Sequence, residues 1–362
     1  MNDSDSTFEL WDQRIPFPTF DTILDLDVVT HVTVEKAQPN GHRYLHDTRI
    51  VWYRDELFVG WACHTVGEVH FQDAVIRGCR SADGLTWSQP ETWAAAPTCG
   101  AECFNHRVHG VHQDRLWGFF TCWNDKKPRA EIFTYTAGKW TPVGANIPAL
   151  VPFQAPFKMR DGNWIMAGEG PGWNEPAVVI SRGDDFTKWE MIHIPRPEEM
   201  KMDFAETTLI DQGDRLIAVC RPKQMPTAPV AESTDCGRTW TTLRASNFPL
   251  AESEPTAGKL STGQHFLITN NLEEGRALLT IAVTEPGVRT FSRIWKIRHQ
   301  QFPKRRAFTG VFWRGKLHKP MLGTTTEWSY PSAIEHAGNL YVSYTQGKED
   351  CCVSIIPVRV LQ

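Results

Sequence analysis

An all-β fold, a six-bladed β-propeller, is predicted from three observations. Turn residues are spread along the whole chain, a tryptophan returns about every 50 residues, and alternating apolar runs fill each interval. Seven blades is the alternative count. The 26 Gly and 24 Pro are not gathered into a linker, and no low-complexity tract divides the 362 residues. One domain spanning residues 1–362 is therefore expected.

The repeating tryptophans are Trp87, Trp140, Trp189, Trp240 and Trp295. In the first unit the apolar runs cover 48–53, 57–64 and 73–79, followed by Ser81-Ala82-Asp83-Gly84-Leu85-Thr86-Trp87. In the fourth they cover 207–210, 215–221 and 228–232, followed by Ser233-Thr234-Asp235-Cys236-Gly237-Arg238-Thr239-Trp240. Alternation and β-branched content mark the runs as strands, and Asp-Glu, Asp-Gly, Gly-Asp and Gly-Asn mark the hairpin turns. Units of this length with four strands are propeller blades; the lack of any 3.6-residue periodicity excludes helical repeats. The last unit, at 330–337, 339–346 and 352–360, supplies only three strands. The early run 22–35 is expected to supply the fourth and to close the ring.

Composition narrows the partners. A net charge of −4 argues against nucleic acid, and Lys304-Arg305-Arg306 reads as a short solvated cluster. No apolar run approaches the roughly 20 residues of a membrane span. Residues 1–20 are acidic and polar with no apolar centre, so a cytoplasmic, reduced protein is expected. The nine cysteines agree with this, because Cys63, Cys122 and Cys220 sit in apolar strand-like runs. Cys99-x-x-x-Cys103 and Cys351-Cys352 lack zinc-site spacing, and no phosphate loop or nucleotide fingerprint is present. No cofactor is expected.

The octet ending at Trp240 matches S-x-D-x-G-x-T-W; the copy ending at Trp87 is one residue short, and Ser181 to Trp189 carries a degenerate one. Such a box is a structural device. Its Asp caps its own turn, its Gly supplies positive φ and its Trp packs between blades. On these boxes the chain resembles the sialidase superfamily of Asp-box, or BNR-repeat, propellers. Four further segments extend the resemblance from about Leu45 to the C-terminus. They are Thr48-Arg49-Ile50-Val51, Ala205-Glu206-Thr207-Thr208 with Ala218-Val219-Cys220-Arg221, Gly275-Arg276-Ala277-Leu278-Leu279, and Ser329-Tyr330-Pro331-Ser332 with Asn339-Leu340-Tyr341-Val342. Arg14-Ile15-Pro16 matches the first family motif literally, but it precedes a closing strand, so Arg49 is preferred.

The resemblance implies an enzyme acting on a carbohydrate that bears a carboxylate. Arg49, Arg221 and Arg276 would hold that carboxylate by charge-assisted hydrogen bonds. Tyr330 would be the nucleophile, since a carboxylate nucleophile is repelled by this substrate, and Glu206 would be its base. The family's acid/base Asp belongs in the loop after the second strand of the first blade. Here that loop offers Glu68, His70 and Asp73, with no Asp at the family's position.

His46, His64, His70, His106 and His109 fall at starts or loops of the first two blades, where a propeller's funnel opens. His46, with His70 and Asp73, is a candidate for acid/base work; His64 and His109 are candidates for substrate contacts. Trp123, Trp173, Asn174 and Glu175 could stack on or bind sugar rings. Three functions remain open: an exo-glycosidase using Tyr330, a lyase or His-dependent hydrolase acting on uronate glycans, and a non-catalytic propeller that binds carbohydrate or protein.

Overall fold

A computed structural model describes residues 7–38, 40–70, 74–95, 103–124, 127–171, 174–271, 275–299, 311–313, 316–319 and 327–362, with backbone alone for 68–70, 103, 124, 311–313 and 316–319. Lys304-Arg305-Arg306, Cys99, Asp73 and Trp173 lie outside the described residues. Among the described residues no helix is long and apolar enough to cross a membrane.

Six antiparallel sheets follow one another along the chain as six blades. Blade 1 is Tyr44–Tyr53, Glu56–His64, Val75–Ser81 and Glu91–Ala94; blade 2 is Cys103–His112, Arg115–Asn124, Lys127–Thr136 and Lys139–Pro148. Blade 3 begins with the short pair Val151–Pro152 and Phe157–Lys158, both against Trp164–Glu169, then Pro176–Arg182 and Asp185–His193. Blade 4 is Thr207–Asp211, Leu216–Cys220, Thr227–Ser233 and Arg244–Pro249. Blade 5 is Thr256–Lys259, His265–Asn270, Leu278–Thr284 and Phe291–His299, and blade 6 is Trp328–His336, Asn339–Gln346 and Asp350–Pro357.

The N-terminal segment wraps the outside of the last blades. Phe8 and Trp11 bridge to Ser246 and Phe291, and Leu24–Asp25 runs parallel to the outer strand of blade 5. Thr30–Glu35 then pairs antiparallel with Asp350–Pro357, Thr30 opposite Ile355 and Glu35 opposite Cys351, as the outer strand of blade 6. The predicted run 22–35 is thus divided between two blades. A small extra sheet joins Glu68–His70, from the blade 1 loop, to Val311–Trp313 in parallel, with Lys316–Lys319 at its edge.

The boxes occupy turns between third and fourth strands and lock neighbouring blades. Asp235 accepts the N–H groups of Arg238 (3.1 Å) and Thr239 (2.9 Å), while Gly237 N–H donates to Ser233 Oγ (2.9 Å). Trp240 Nε1 donates to the Gly237 carbonyl (2.9 Å), and Trp87 does the same to Gly84 (3.1 Å). Gly237 has φ +77, and a Cβ there would stand 2.6 Å from Ile165 Cδ1 of blade 3. The apolar core lies mostly between blades: Ile165, Val178 and Ala167 of blade 3 pack with Leu209, Ala218 and Ala231 of blade 4.

Candidate active site

Three inner strands carry the same irregularity near their starts. Register shifts between His46 and Arg49, between Phe104 and Arg107, and between Ser329 and Ser332. Each bulge leaves two residues outside the ladder and re-aims their side chains. Asp47 and Tyr330 sit in these bulges with φ +57, and Phe204 has φ +61. Left-handed backbone is costly for such residues, and it is held here by the packed inner strands.

These distortions converge on a pocket of about 100 Å³ lined by Tyr330, Glu206, Arg221, Arg276, His46, His106, Asn105, Glu169, Phe204, Tyr44 and Lys348. Tyr330 Oη donates to Glu206 Oε1, and Arg221 Nη1 reaches both Glu206 Oε1 (2.8 Å) and Tyr330 Oη (3.3 Å). The Arg276 guanidinium lies 5.4 Å from the Tyr330 ring centre; its Nη2 donates to the Glu252 carbonyl (3.0 Å), and its buried Nη1 has no hydrogen-bond partner among the described residues. Burial, then the Glu206 charge, raises the Tyr330 phenol well above its ordinary value, so its proton stays on until a base takes it. Burial works against the Arg221 charge, but the charge and hydrogen bond of Glu206 outweigh it and keep the guanidinium ionised.

The histidines divide. His46 lies 4.2 Å, ring centre to centre, from Tyr330, and its Nδ1 meets Thr345 Oγ1 at 2.9 Å. Burial, with Lys348 and Arg276 nearby, lowers its pKa well below the ordinary value and keeps it neutral. His106 lies 6.2 Å from the Tyr330 ring, centre to centre, with the two planes 24° apart.

Other expected site residues are placed elsewhere. Arg49 does not reach the pocket: Nη2 is held by both oxygens of Glu254 (2.8 and 2.9 Å) and by Asp47 (2.7 Å), all buried. His109 is two residues beyond Arg107 on the same strand. A strand rises about 3.3 Å per residue, so His109 is carried down the blade, where Trp93, Phe120 and Trp140 enclose it. His64 ends the second strand of blade 1, and its Nδ1 accepts the Val66 N–H (3.0 Å) to close a turn. The His70 side chain and Asp73 lie outside the described residues. Arg14 is an exposed partner of Asp12 (2.7 Å), away from the pocket. Trp123 is buried, and Glu175 pairs with His193 at 3.3 Å.

Three buried carboxyl groups escaped the sequence reading. Glu169, at the end of Trp164–Glu169, opens on the pocket, and its Oε2 has no hydrogen-bond partner among the described residues; burial, then the Glu206 charge, raises its pKa well above the ordinary value. Glu254 is likewise raised by burial, against the pull of Arg49. Asp47 behaves oppositely. Burial disfavours its charge, but Arg49, His106 and Arg107 prevail and hold the carboxyl at about 2. No sequence motif marks Glu169 or Glu254; only their position in the folded ring reveals them.

Comparison with known proteins gives a consistent picture. The profile of the BNR repeat-like domain matches residues 72–342. The Hadza microbial sialidase Hz136 superposes with a TM-score of 0.70 at 13% identity, covering 92% of this chain and 69% of that one. A protein of unknown function from Dyadobacter fermentans gives 0.65 at 15% identity, over 90% of this chain and 98% of its own. Trypanosoma rangeli sialidase in complex with the inhibitor DANA gives 0.63 at 13% identity; 90% of this chain is covered and 59% of the larger enzyme. No curated protein sequence matches the chain. Identities this low carry the fold and nothing finer.

Proposed function

This chain belongs to the BNR repeat-like domain family, and from that premise we propose that it is an exo-glycosidase that removes a terminal, carboxylate-bearing sugar. The observation that carries the reading is the trio of buried Tyr330 and Glu206 with half-buried Arg221, and Arg276 beside it. In the reaction Tyr330 Oη attacks the anomeric carbon and Glu206 takes the phenol proton. A neutral phenol suits an anomeric centre that carries an anion, because it brings no like charge to the attack. Arg276 Nη1 and Arg221 hold the substrate carboxylate. The clamp has two arginines rather than three, since Arg49 is spent on Asp47 and Glu254.

Fluorogenic sialosides and related 2-keto acid glycosides test the reading. Tyr330→Phe should lower turnover on the order of 10³-fold or more, because it removes the nucleophile. Arg276→Ala should act mainly on KM, raising it roughly 10- to 100-fold for the loss of one charge-assisted bond. Small, equal effects from both would overturn the assignment.

One observation supports a second reading, a uronate-specific lyase. Two histidines lie 4.2 and 6.2 Å from Tyr330 between ring centres, a set that suits proton abstraction beside a carboxylate neutralised by arginine. New ultraviolet absorbance from uronate polysaccharides, with no turnover of sialosides, would favour it. Silence on both panels would favour a binding propeller.

A further inference from the structure

A glycosidase needs a group that gives a proton to the departing oxygen and later takes one from water. His46 does not suit this work, being neutral and tied to Thr345. His106 is built differently. It stands in the bulge of the inner strand of blade 2, and Asp47 stands in the matching bulge of blade 1. Asp47 Oδ2 lies 3.4 Å from His106 Nδ1, an ion-pair distance that is long for a hydrogen bond, as catalytic contacts often are before substrate binds. Asp47 is 1% exposed and cannot turn away. Its Oδ1 is 2.7 Å from Arg49, and its Oδ2 accepts the Arg107 backbone N–H at 3.3 Å and lies 3.6 Å from Arg107 Nη1.

The His106 ring packs against Phe153, at 5.1 Å, and near Tyr330, at 6.2 Å. Its Nδ1 is sealed from solvent, whereas 12% of the side chain stays open where it lines the pocket. With Nδ1 on a buried carboxylate, Nε2 is the ring nitrogen left for the pocket. A carboxylate behind a histidine fixes its tautomer and ring orientation.

We propose that His106 is the acid/base of this site and that Asp47 is its positioning residue. The inference rests on the glycosidase reading. In the first half-reaction the bond from Tyr330 Oη to the anomeric carbon forms and the glycosidic C–O bond breaks. The phenol proton goes to Glu206, and the Nε2 proton of His106 goes to the leaving oxygen. In the second, a water oxygen bonds to the anomeric carbon and the Tyr330 bond breaks. His106 Nε2 takes the water proton, and Glu206 returns its proton to Tyr330. One water is consumed and every residue is restored. Asp47 keeps its charge throughout.

The test compares two probes on wild type and on His106→Gln, Asp47→Asn and Glu169→Gln, each first checked for a cooperative thermal transition that lies above the assay temperature. One probe is an aryl sialoside, whose leaving group needs no proton; the other is sialyllactose, whose leaving group does. His106→Gln should lower kcat/KM for sialyllactose on the order of 10²–10³-fold and for the aryl sialoside less than about tenfold. Asp47→Asn should show the same leaving-group dependence at smaller amplitude, which a merely structural loss would not produce. Equal losses on both probes would overturn the proposal. So would leaving-group dependence in Glu169→Gln with none in His106→Gln, since Glu169 is the other pocket acid that can hold a proton. Should Asp47→Asn not fold, the His106→Gln comparison decides by itself. Wild type inactive on both probes would instead refute the glycosidase reading, and this proposal with it.

Discussion

Asp47 anchors the positive charge buried near the ring's axis, and replacing it by Asn should expose how much that anchor contributes. Its carboxyl is held at about 2 against an ordinary 3.8, a difference on the order of 2–3 kcal/mol of folding free energy. The substitution also leaves Arg49 and Arg107 buried beside each other with one ionised partner fewer. Breaking a buried ion pair this way typically costs about 3–5 kcal/mol. A loss of about 3 kcal/mol is therefore expected at pH 7. With an m of about 3 kcal/mol/M or more, the urea midpoint should fall by up to about 1 M.

The sign of the pH dependence follows from the depressed value. Asp47 contributes its full stabilisation above the unfolded value near 4 and loses it as pH falls through 2. The gap between wild type and Asp47→Asn should thus be constant from pH 5 to 7 and shrink below pH 4. Glu254→Gln is the internal control. Glu254 touches the same arginine, but burial pushes it toward its protonated form, which Gln mimics. Its cost should be smaller than that of Asp47→Asn. Equal losses from the two variants, or a gap that does not close in acid, would refute the assignment of charge within this cluster.

Two further expectations concern the ring. Deleting the residues before Gln38 removes Thr30–Glu35 from blade 6 and Phe8, Leu10 and Trp11 from the blade 4–5 core, so it should unfold the whole domain. A truncated protein with an unchanged melting temperature would contradict this. Gly237→Ala should lower stability by about 1 kcal/mol or more, because φ is +77 and the new Cβ meets Ile165 at 2.6 Å. Unchanged thermal unfolding would show that the turn relaxes without cost.

Much of the architecture was legible because its determinants are local and repeated. An Asp, a Gly and a Trp at fixed offsets make their bonds within one turn, so the boxes ending at Trp87 and Trp240 announce themselves in the chain. The same holds for the alternating runs that became Glu56–His64 and Leu216–Cys220. Tyr330, Glu206, Arg221 and Arg276 could be named from their segments, and the folded ring brings them to one pocket.

Which arginine faces that pocket was not legible. Arg49 stands in as good a motif as Arg221, yet its partner Glu254 lies 205 residues away and marks no pattern of its own. His109 and His106 look alike in a histidine-rich segment. One opens on the pocket and the other is walled in by Trp93, Phe120 and Trp140, because a bulge at Asn105 and His106 resets which side chains point where. Strand periodicity and turn chemistry are short-range, and a single chain states them openly. The direction of a side chain after a bulge, and the charge that a buried carboxyl keeps, depend on neighbours from other blades. Those neighbours meet only when the ring closes.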